Sequence, residues 1–566
     1  MPSETLEELL SADERVRRYH AFVGRIRLQG QFLLDEAIER ALNVRAPWTS
    51  PDTAVKAYRK QLSSSTFRIA GQPEALSYSQ IREFMLVRQW LTGKLPTESD
   101  SACMCVHGNT RAVSPRGCSG IVENRIDKFA ALALNMVVGN WIIETRERGY
   151  HSPRSRRNVL NSISDEIVNA LIAAVKEEGV QVTRRAMLLK KRLLTATGKI
   201  KVSQTTGTDF HRRKIHPDCL WQRFSQVCSV ILHLPVPFVY FDIQTFSFVD
   251  RLAPLTLTKD SSAEATARVP WCQAVETVKN GYASFSPVFV RLFEKLLNEG
   301  RIDAAPADGK QTGAFCSGGT PATGPFILMT HTGVKANVQT LAHEAGHAIH
   351  FLLAYEQGNL QYHPPLPLAE TASLMGETVV FFHLLDQTES PHKVLEMLVE
   401  HLDSLVGTIT RQVSFDRFEE LVHETRLSGI VGDDEFDRLW LQSTKEFFGD
   451  EGDVFDDYAG IEKDWSTVHH FTKAPFYVYS YALADLLVGS LLAARTQNDG
   501  SDFEEKFISF LQAGDTADLE TALRPFGLDP TTPSFWRDAI GMRLGTAVER
   551  AERLASELGY IEASRY

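Results

Sequence analysis

The sequence predicts a mainly α-helical protein of more than one lobe, with a small β element set among the helices. Three observations carry that expectation. The chain has 566 residues, more than a single hydrophobic core usually organises. Apolar residues recur at helical spacing through most of its length, as in VRRYHAFVGRIRLQGQFLLDEAIERAL near the start. Strand-like composition is confined to short stretches, of which PFILMTHTG (325–333) is the best defined.

Composition narrows the function classes. Hydrophobic residues make up 43% and charged residues 23%, the balance of an ordinary globular protein. A net charge of -11 argues against a nucleic-acid-binding surface. The first twenty residues are charged throughout and lack the apolar core of a secretory signal. The longest apolar run, FAALALNMVVGNWII (129–143), is shorter than the ~20 residues a membrane span needs and reads as a buried helix. A cytoplasmic protein without membrane attachment is expected. The seven cysteines include no CxxC pair, only Cys103 and Cys105, and are expected to be reduced thiols.

Along the chain, residues 1–160 read as an N-terminal helical lobe interrupted by a loop-like stretch at 97–121. ISDEIVNALIAAVKEEG (163–179) predicts an amphipathic helix closed by Gly179. Residues 199–249 change character and end in the aromatic, β-branched run VCSVILHLPVPFVYFDIQTFSFV. TGAFCSGGTPATGP (312–325) reads as a loop and lacks the Gly-Lys-Ser/Thr ending that cradles a nucleotide phosphate. A long helix is predicted over 334–359, closed at Gly358. Another follows over 365–387, with Pro365 and Pro367 at its start.

The chemistry concentrates in TLAHEAGHAIH (340–350). Residues four apart share a helix face, so His343 and His347 can direct their imidazoles at one ion. Glu344 projects about 100° around the helix, beside such an ion, where a carboxylate can take a proton from an attacking water. Gly346 costs about 1 kcal/mol in a helix relative to alanine, and close approach of another backbone would account for it. A catalytic metal wants a third protein ligand, and no third histidine falls in register. Glu370, near the start of the next predicted helix, is assigned that place. Glu377, seven residues on and on the same face, is a candidate to orient a ligand by hydrogen bonding.

Downstream, HHFTKAPFYVYSYALADLL (469–487) groups Tyr477, Tyr479 and Tyr481 behind two histidines. Aromatic core packing explains such a cluster. Beside a metal site, phenol or imidazole donors aimed at a developing oxyanion explain it as well.

Together, GAFCSGG, GPFILMTHTG, TLAHEAGHAIH, PLAETASLMGE, HFTKAPFYVYSYA and LRPFGLDPTTPSFW make residues 251–566 resemble the oligoendopeptidase F branch of the thimet oligopeptidase family of zinc metallopeptidases. The resemblance implies two mainly helical lobes around a deep substrate channel, with a zincin-type site and a small sheet on its floor. Residues 1–160 would form the N-terminal lobe. Residues 161–566 would form the catalytic domain, in which 199–249 is an atypical insert: a genuine insertion, an exosite, or translated sequence foreign to the fold. The resemblance further implies one Zn2+ per chain held by His343, His347 and Glu370, with Glu344 as general base. His470 and Tyr479 look like the family's catalytic donors, with Tyr477 and Tyr481 as substrate-binding neighbours. The expected reaction is hydrolysis of internal bonds in short unfolded peptides, with the PFILMT strand free to pair with the substrate backbone. A helical zinc carboxypeptidase, or a peptide-binding protein without turnover, are the alternatives.

Overall fold

The computed structural model of the chain describes residues 3–64, 66–67, 76–77, 124–198, 245–257, 268–307, 310, 313–497 and 502–562. The Cys103 and Cys105 pair and all but the last few residues of the 199–249 segment lie outside the described residues. Five helices open the chain: α1 (Ser3–Ala12), α2 (Glu14–Arg17), α3 (His20–Gly30), α4 (Glu36–Thr49) and α5 (Asp52–Ser64). Two short strands, β1 (Thr66–Phe67) and β2 (Leu76–Ser77), pair antiparallel. Then come α6 (Asn124–Glu147), α7 (Pro153–Leu160), α8 (Asp165–Ala174) and α9 (Val180–Ala196). α6 contains the long apolar run, and its inward face is buried as the periodicity requires.

After the gap, α10 (Trp271–Ala283) and α11 (Pro287–Asn298) precede a three-stranded sheet of β3 (Ile302–Asp303), β4 (Phe315–Ser317) and β5 (Phe326–Leu328). The chain then continues as α12 (Ala336–Ala354), α13 (Leu366–Asp386), α14 (Pro391–Thr408), α15 (Thr410–Arg426) and α16 (Asp433–Phe448). It ends in α17 (His469–Lys473), α18 (Tyr479–Gln497), α19 (Phe503–Gln512), α20 (Leu519–Leu523), α21 (Pro533–Ile540) and α22 (Thr546–Glu557). The mainly helical class with a small sheet is what the sequence predicts.

Helix starts follow a local rule. Ser-Pro opens α7, α11 and α14 at Ser152-Pro153, Ser286-Pro287 and Ser390-Pro391, and in each the serine side chain accepts from a first-turn N–H. The serine satisfies an otherwise unpaired donor, and proline occupies a position where no N–H is needed.

Three expectations are corrected. Gly179 does not close a helix. α8 runs on through a π turn, Val175–Gly179, directly into α9, and Gly179 packs close to Val175 and Ile540. The stretch read as a loop contains β4, because Phe315, Cys316 and Ser317 find ladder partners in Leu328, Ile327 and Phe326. And β5, the PFILMT strand, is not an edge: it lies between β3 (parallel) and β4 (antiparallel), so β4 carries the outer ladder on that side.

The main core is built from α8 through α14 and the C-terminal helices, with α18 buried along most of its length. A second core joins Val55, Tyr58 and the α6 residues Ala130 to Val138 with Phe415, Trp440, Trp465 and Phe471. α13 is long and apolar enough to cross a membrane by length and composition, but most of it is buried against neighbouring helices.

α12 and α13 cross in backbone contact. A Cβ on Gly346 would lie 2.5 Å from the Ala372 carbonyl oxygen and 2.5 Å from Ser373 Cα, so the two backbones touch there. At Gly376 the Tyr282 hydroxyl would be met at 2.9 Å, and that hydroxyl donates to the Ala342 carbonyl at 2.6 Å, tying α10 to the same crossing. Helix propensity alone would make Gly346→Ala stabilising by about 1 kcal/mol. The crossing reverses the sign: the substitution should destabilise the fold by about 1–3 kcal/mol, as overpacking does, read as a lowered midpoint in chemical denaturation.

Candidate metal centre

α12 presents His343 and His347 one turn apart, with ring centroids 4.9 Å apart. The crossing at Gly346 brings the first turn of α13 over them. Glu370 Oε2 then lies 3.3 Å from His343 Nε2 and 3.3 Å from His347 Nε2. Among the described residues this is the one cluster of metal-ligating side chains whose donor atoms converge, all within 4.8 Å of one another. A tetrahedral ion with bonds of about 2.0–2.1 Å separates its ligands by about 3.3–3.4 Å, so the spacing fits.

The tautomers fit as well. His343 Nδ1–H donates to Glu377 Oε2 at 3.2 Å, and His347 Nδ1–H donates to the Ala369 carbonyl at 3.1 Å. With Nδ1 protonated on both rings, each Nε2 can turn its lone pair toward the shared point. Ser373 Oγ donates to Glu370 Oε2 at 2.9 Å and fixes the carboxylate. Burial alone would lower the His343 pKa, but Glu370 and Glu377 raise it to about 10. Burial alone would raise Glu370, yet the two imidazoles hold it well below the carboxylate range. Positive charge is therefore favoured at this point, and a divalent cation would take over that role.

Glu344 is buried beside the cluster. Burial raises its pKa against the pull of the two histidines and of the Cys316 backbone amide of β4. The end of β4 packs on α12, where a Cβ on Gly318 would meet the Phe351 ring at 2.7 Å, a contact the sequence did not reveal because β4 read as a loop. The Cys316 thiol is pushed up to about 12 by burial and by Glu344, so it stays protonated.

The aromatic block divides. Tyr477 and Tyr481 lie with His470: their rings are 5.6 Å apart, His470 stacks on Tyr477 at 6.2 Å, and His470 Nε2 lies 2.9 Å from the Tyr481 hydroxyl. Burial raises both phenols, with the Glu370 charge as a further cause. Burial, then Lys473, lowers the His470 pKa. Tyr479 is turned away: it is 0% exposed in the main core, and Asn161 Nδ2 donates to its hydroxyl at 2.9 Å. Tyr479, expected as a catalytic donor, is thus held in the main core rather than with His470, Tyr477 and Tyr481. The reason is helical phase. Two residues advance a helix by about 200°, so Tyr479 and Tyr481 face opposite ways.

The Glu377 contact yields a prediction. Glu377→Gln should weaken zinc binding about 10- to 100-fold while leaving the fold intact, measured by competition with a chromophoric chelator.

Comparison with known proteins agrees with this geometry. Residues 250–542, just over half of the chain, match the model described as Peptidase family M3. Oligopeptidase PepF of Bacillus subtilis is 29% identical over 278 residues, 48% of this chain and 40% of that protein. The chromosomal oligoendopeptidase F of Lactococcus lactis subsp. cremoris is 27% identical over 294 residues, 50% of this chain and 47% of that protein. The matched stretch therefore spans less than half the length of these relatives. Among solved structures, the oligoendopeptidase-F from Enterococcus faecium shares the fold, with a TM-score of 0.62 and 15% identity over 98% of this chain and 82% of that one. The resemblance to the oligoendopeptidase F branch is borne out, and the chain belongs to Peptidase family M3.

Proposed function

We propose that the chain is a zinc-dependent oligoendopeptidase that hydrolyses internal bonds of short, unfolded peptides. The observation that carries the reading is the convergence of His343 Nε2, His347 Nε2 and the Glu370 carboxylate, with Glu344 alongside, in a member of Peptidase family M3. His343, His347 and Glu370 would hold one zinc per chain, and residues 161–566 would form the catalytic unit. When bound, the ion supplies a Lewis acid that lowers the pKa of a water from about 16 toward about 7 and polarises a carbonyl.

The chain's own residues supply the rest. Glu344 accepts the proton of the attacking water and passes it to the leaving amine. Its burial and raised pKa suit a group that must both take and give a proton. Tyr481, Tyr477 and His470 form a group of donors that would hydrogen-bond the oxygen that gains charge as the carbonyl is attacked. β4, the outer strand of the sheet, offers its free ladder to an extended peptide.

Peptide cleavage, metal removal and substitution test this. A quenched short peptide blocked at both ends should be cleaved, which a carboxypeptidase could not do. A chelator should abolish cleavage and zinc restore it. Glu344→Gln should bind zinc and peptide without turnover, and residual activity near wild type would remove Glu344 from the mechanism. Among the tyrosines, Tyr481→Phe should lower kcat by about 10²–10³-fold if it is the principal oxyanion donor. Tyr479→Phe should leave kcat unchanged and cost only about 1 kcal/mol of stability. The reverse pattern would overturn the assignment of the donors.

A further inference from the structure

Ala474-Pro475-Phe476-Tyr477 links α17 to α18. The Tyr477 N–H donates to the Ala474 carbonyl at 3.0 Å and closes a four-residue turn. Proline in second place and a positive φ in third is the type II pattern, whose third position normally needs glycine. Here it is filled by Phe476, at φ 58. Among the described residues only Ser162 shares a positive φ without being glycine. Ser162 follows the end of α7, where Ile163 N–H reaches back to the Asn158 carbonyl at 3.0 Å, an ordinary helix ending. The turn at Phe476 is strained for a residue with a Cβ, and such strain persists only where surroundings enforce it.

The surroundings are specific. Glu419 of α15, 4% exposed, accepts from the Phe476 N–H at 2.8 Å. Arg157 of α7 donates from Nε to the Pro475 carbonyl at 2.8 Å. These are the two polar ends of a single peptide unit, the one joining Pro475 to Phe476. The relaxed alternative is a type I turn, in which φ of the third residue becomes negative and that same unit turns over. Turning it over would take the N–H away from Glu419 and the carbonyl away from Arg157. The Phe476 ring closes the arrangement: it is buried, 4.8 Å from the ring of His423 and 5.7 Å from the Arg154 guanidinium carbon. Glu419 Oε2 has no hydrogen-bond partner, so its one directed contact is with the turn. Burial raises the Glu419 pKa well above the carboxylate range.

The residue after Phe476 is Tyr477, whose ring stacks on His470 and meets Tyr481 edge-on. We propose that Glu419, together with Arg157, is a positioning residue of the active site. By holding the Pro475–Phe476 peptide in its strained orientation it fixes the place of the Tyr477 phenol against His470 and Tyr481. Glu419 is not among the side chains that converge in the cluster. The proposal rests on the hydrolase reading for its kinetic consequence and on the turn geometry for its structural one.

The test uses the full chain loaded with zinc. The measurements are kcat and KM on the doubly blocked quenched peptide, zinc per chain, melting temperature, and the fluorine NMR signal of fluorotyrosine at position 477. Glu419→Ala should lower kcat about 10- to 100-fold with KM and zinc content unchanged, and should shift or split the fluorine signal. Glu419→Gln keeps an acceptor for the Phe476 N–H and should restore both readouts. In a Tyr477→Phe background, Glu419→Ala should cost little further, since it acts through that phenol. An equal loss in both backgrounds, or wild-type kcat in Glu419→Ala, overturns the proposal. Should Glu419→Ala not fold, Arg157→Met releases the other end of the same peptide and is held to the same outcomes. If the wild-type chain cleaves nothing, the hydrolase reading fails, and the fluorine signal still decides whether the turn positions Tyr477: an unchanged signal in the Glu419→Ala and Arg157→Met variants overturns it.

Discussion

The backbone contact between α12 and α13 at Gly346 is the constraint on which the rest of the site depends. His343 and His347 are adjacent because a helix turn makes them so, but Glu370 is 23 residues beyond His347 and belongs to another helix. It reaches the imidazoles because a glycine lets the second helix touch the first, so that a side chain from the first turn of α13 covers the pair. The same approach lets His347 donate to the Ala369 carbonyl and His343 to Glu377, so one crossing sets both tautomers and supplies the third donor. The link between the helices turns at Gly358, where φ is 74.

Burying this much charge in a helical core requires compensation, and the fold supplies it in layers. Glu370 is balanced by two imidazoles and Ser373. Below it, Arg543 pairs with Asp485 through contacts of 2.8 and 3.0 Å and donates to Thr378 Oγ1 at 3.1 Å, the residue after Glu377. Arg543 is presented from a π turn, Gly541–Gly545, and Gly489 leaves it room: a Cβ there would meet Arg543 Cγ at 2.6 Å. A buried ion pair contributes little net stability, but removing either partner would strand a charge. Its effect is to hold α13 and α18 in a single relation beneath the metal cluster.

The aromatic block depends on a different device. α18 begins at Tyr479, so helical phase sends Tyr479 into the core and Tyr481 outward, while Tyr477 hangs on the turn just before the helix. The turn is strained at Phe476 and is held from α7 and α15, two helices with no ligand to the metal cluster. Local strain at one residue is balanced by long-range contacts, and the site gains a fixed ring where the chain would otherwise relax.

Much of this was legible in one dimension, where the chemistry is local. The His343, Glu344 and His347 spacing, the helices over 334–359 and 365–387, and the cost of a glycine at 346 all follow from periodicity and propensity, because neighbours in a helix are neighbours in sequence. Glu370 and Glu377 could be assigned because a helix phase carries over seven residues. The choice among Tyr477, Tyr479 and Tyr481 could not be made that way, since it turns on where α18 starts. Nor could β4 be seen, as three residues with a glycine on each flank carry no period, and only pairing with β5 makes them a strand. Glu419 and Arg157 read as ordinary helix residues until the fold brings them to one peptide group from opposite sides. Local order is written in neighbouring residues; which buried face meets which, and therefore what each polar group bonds, is settled only when the distant segments pack.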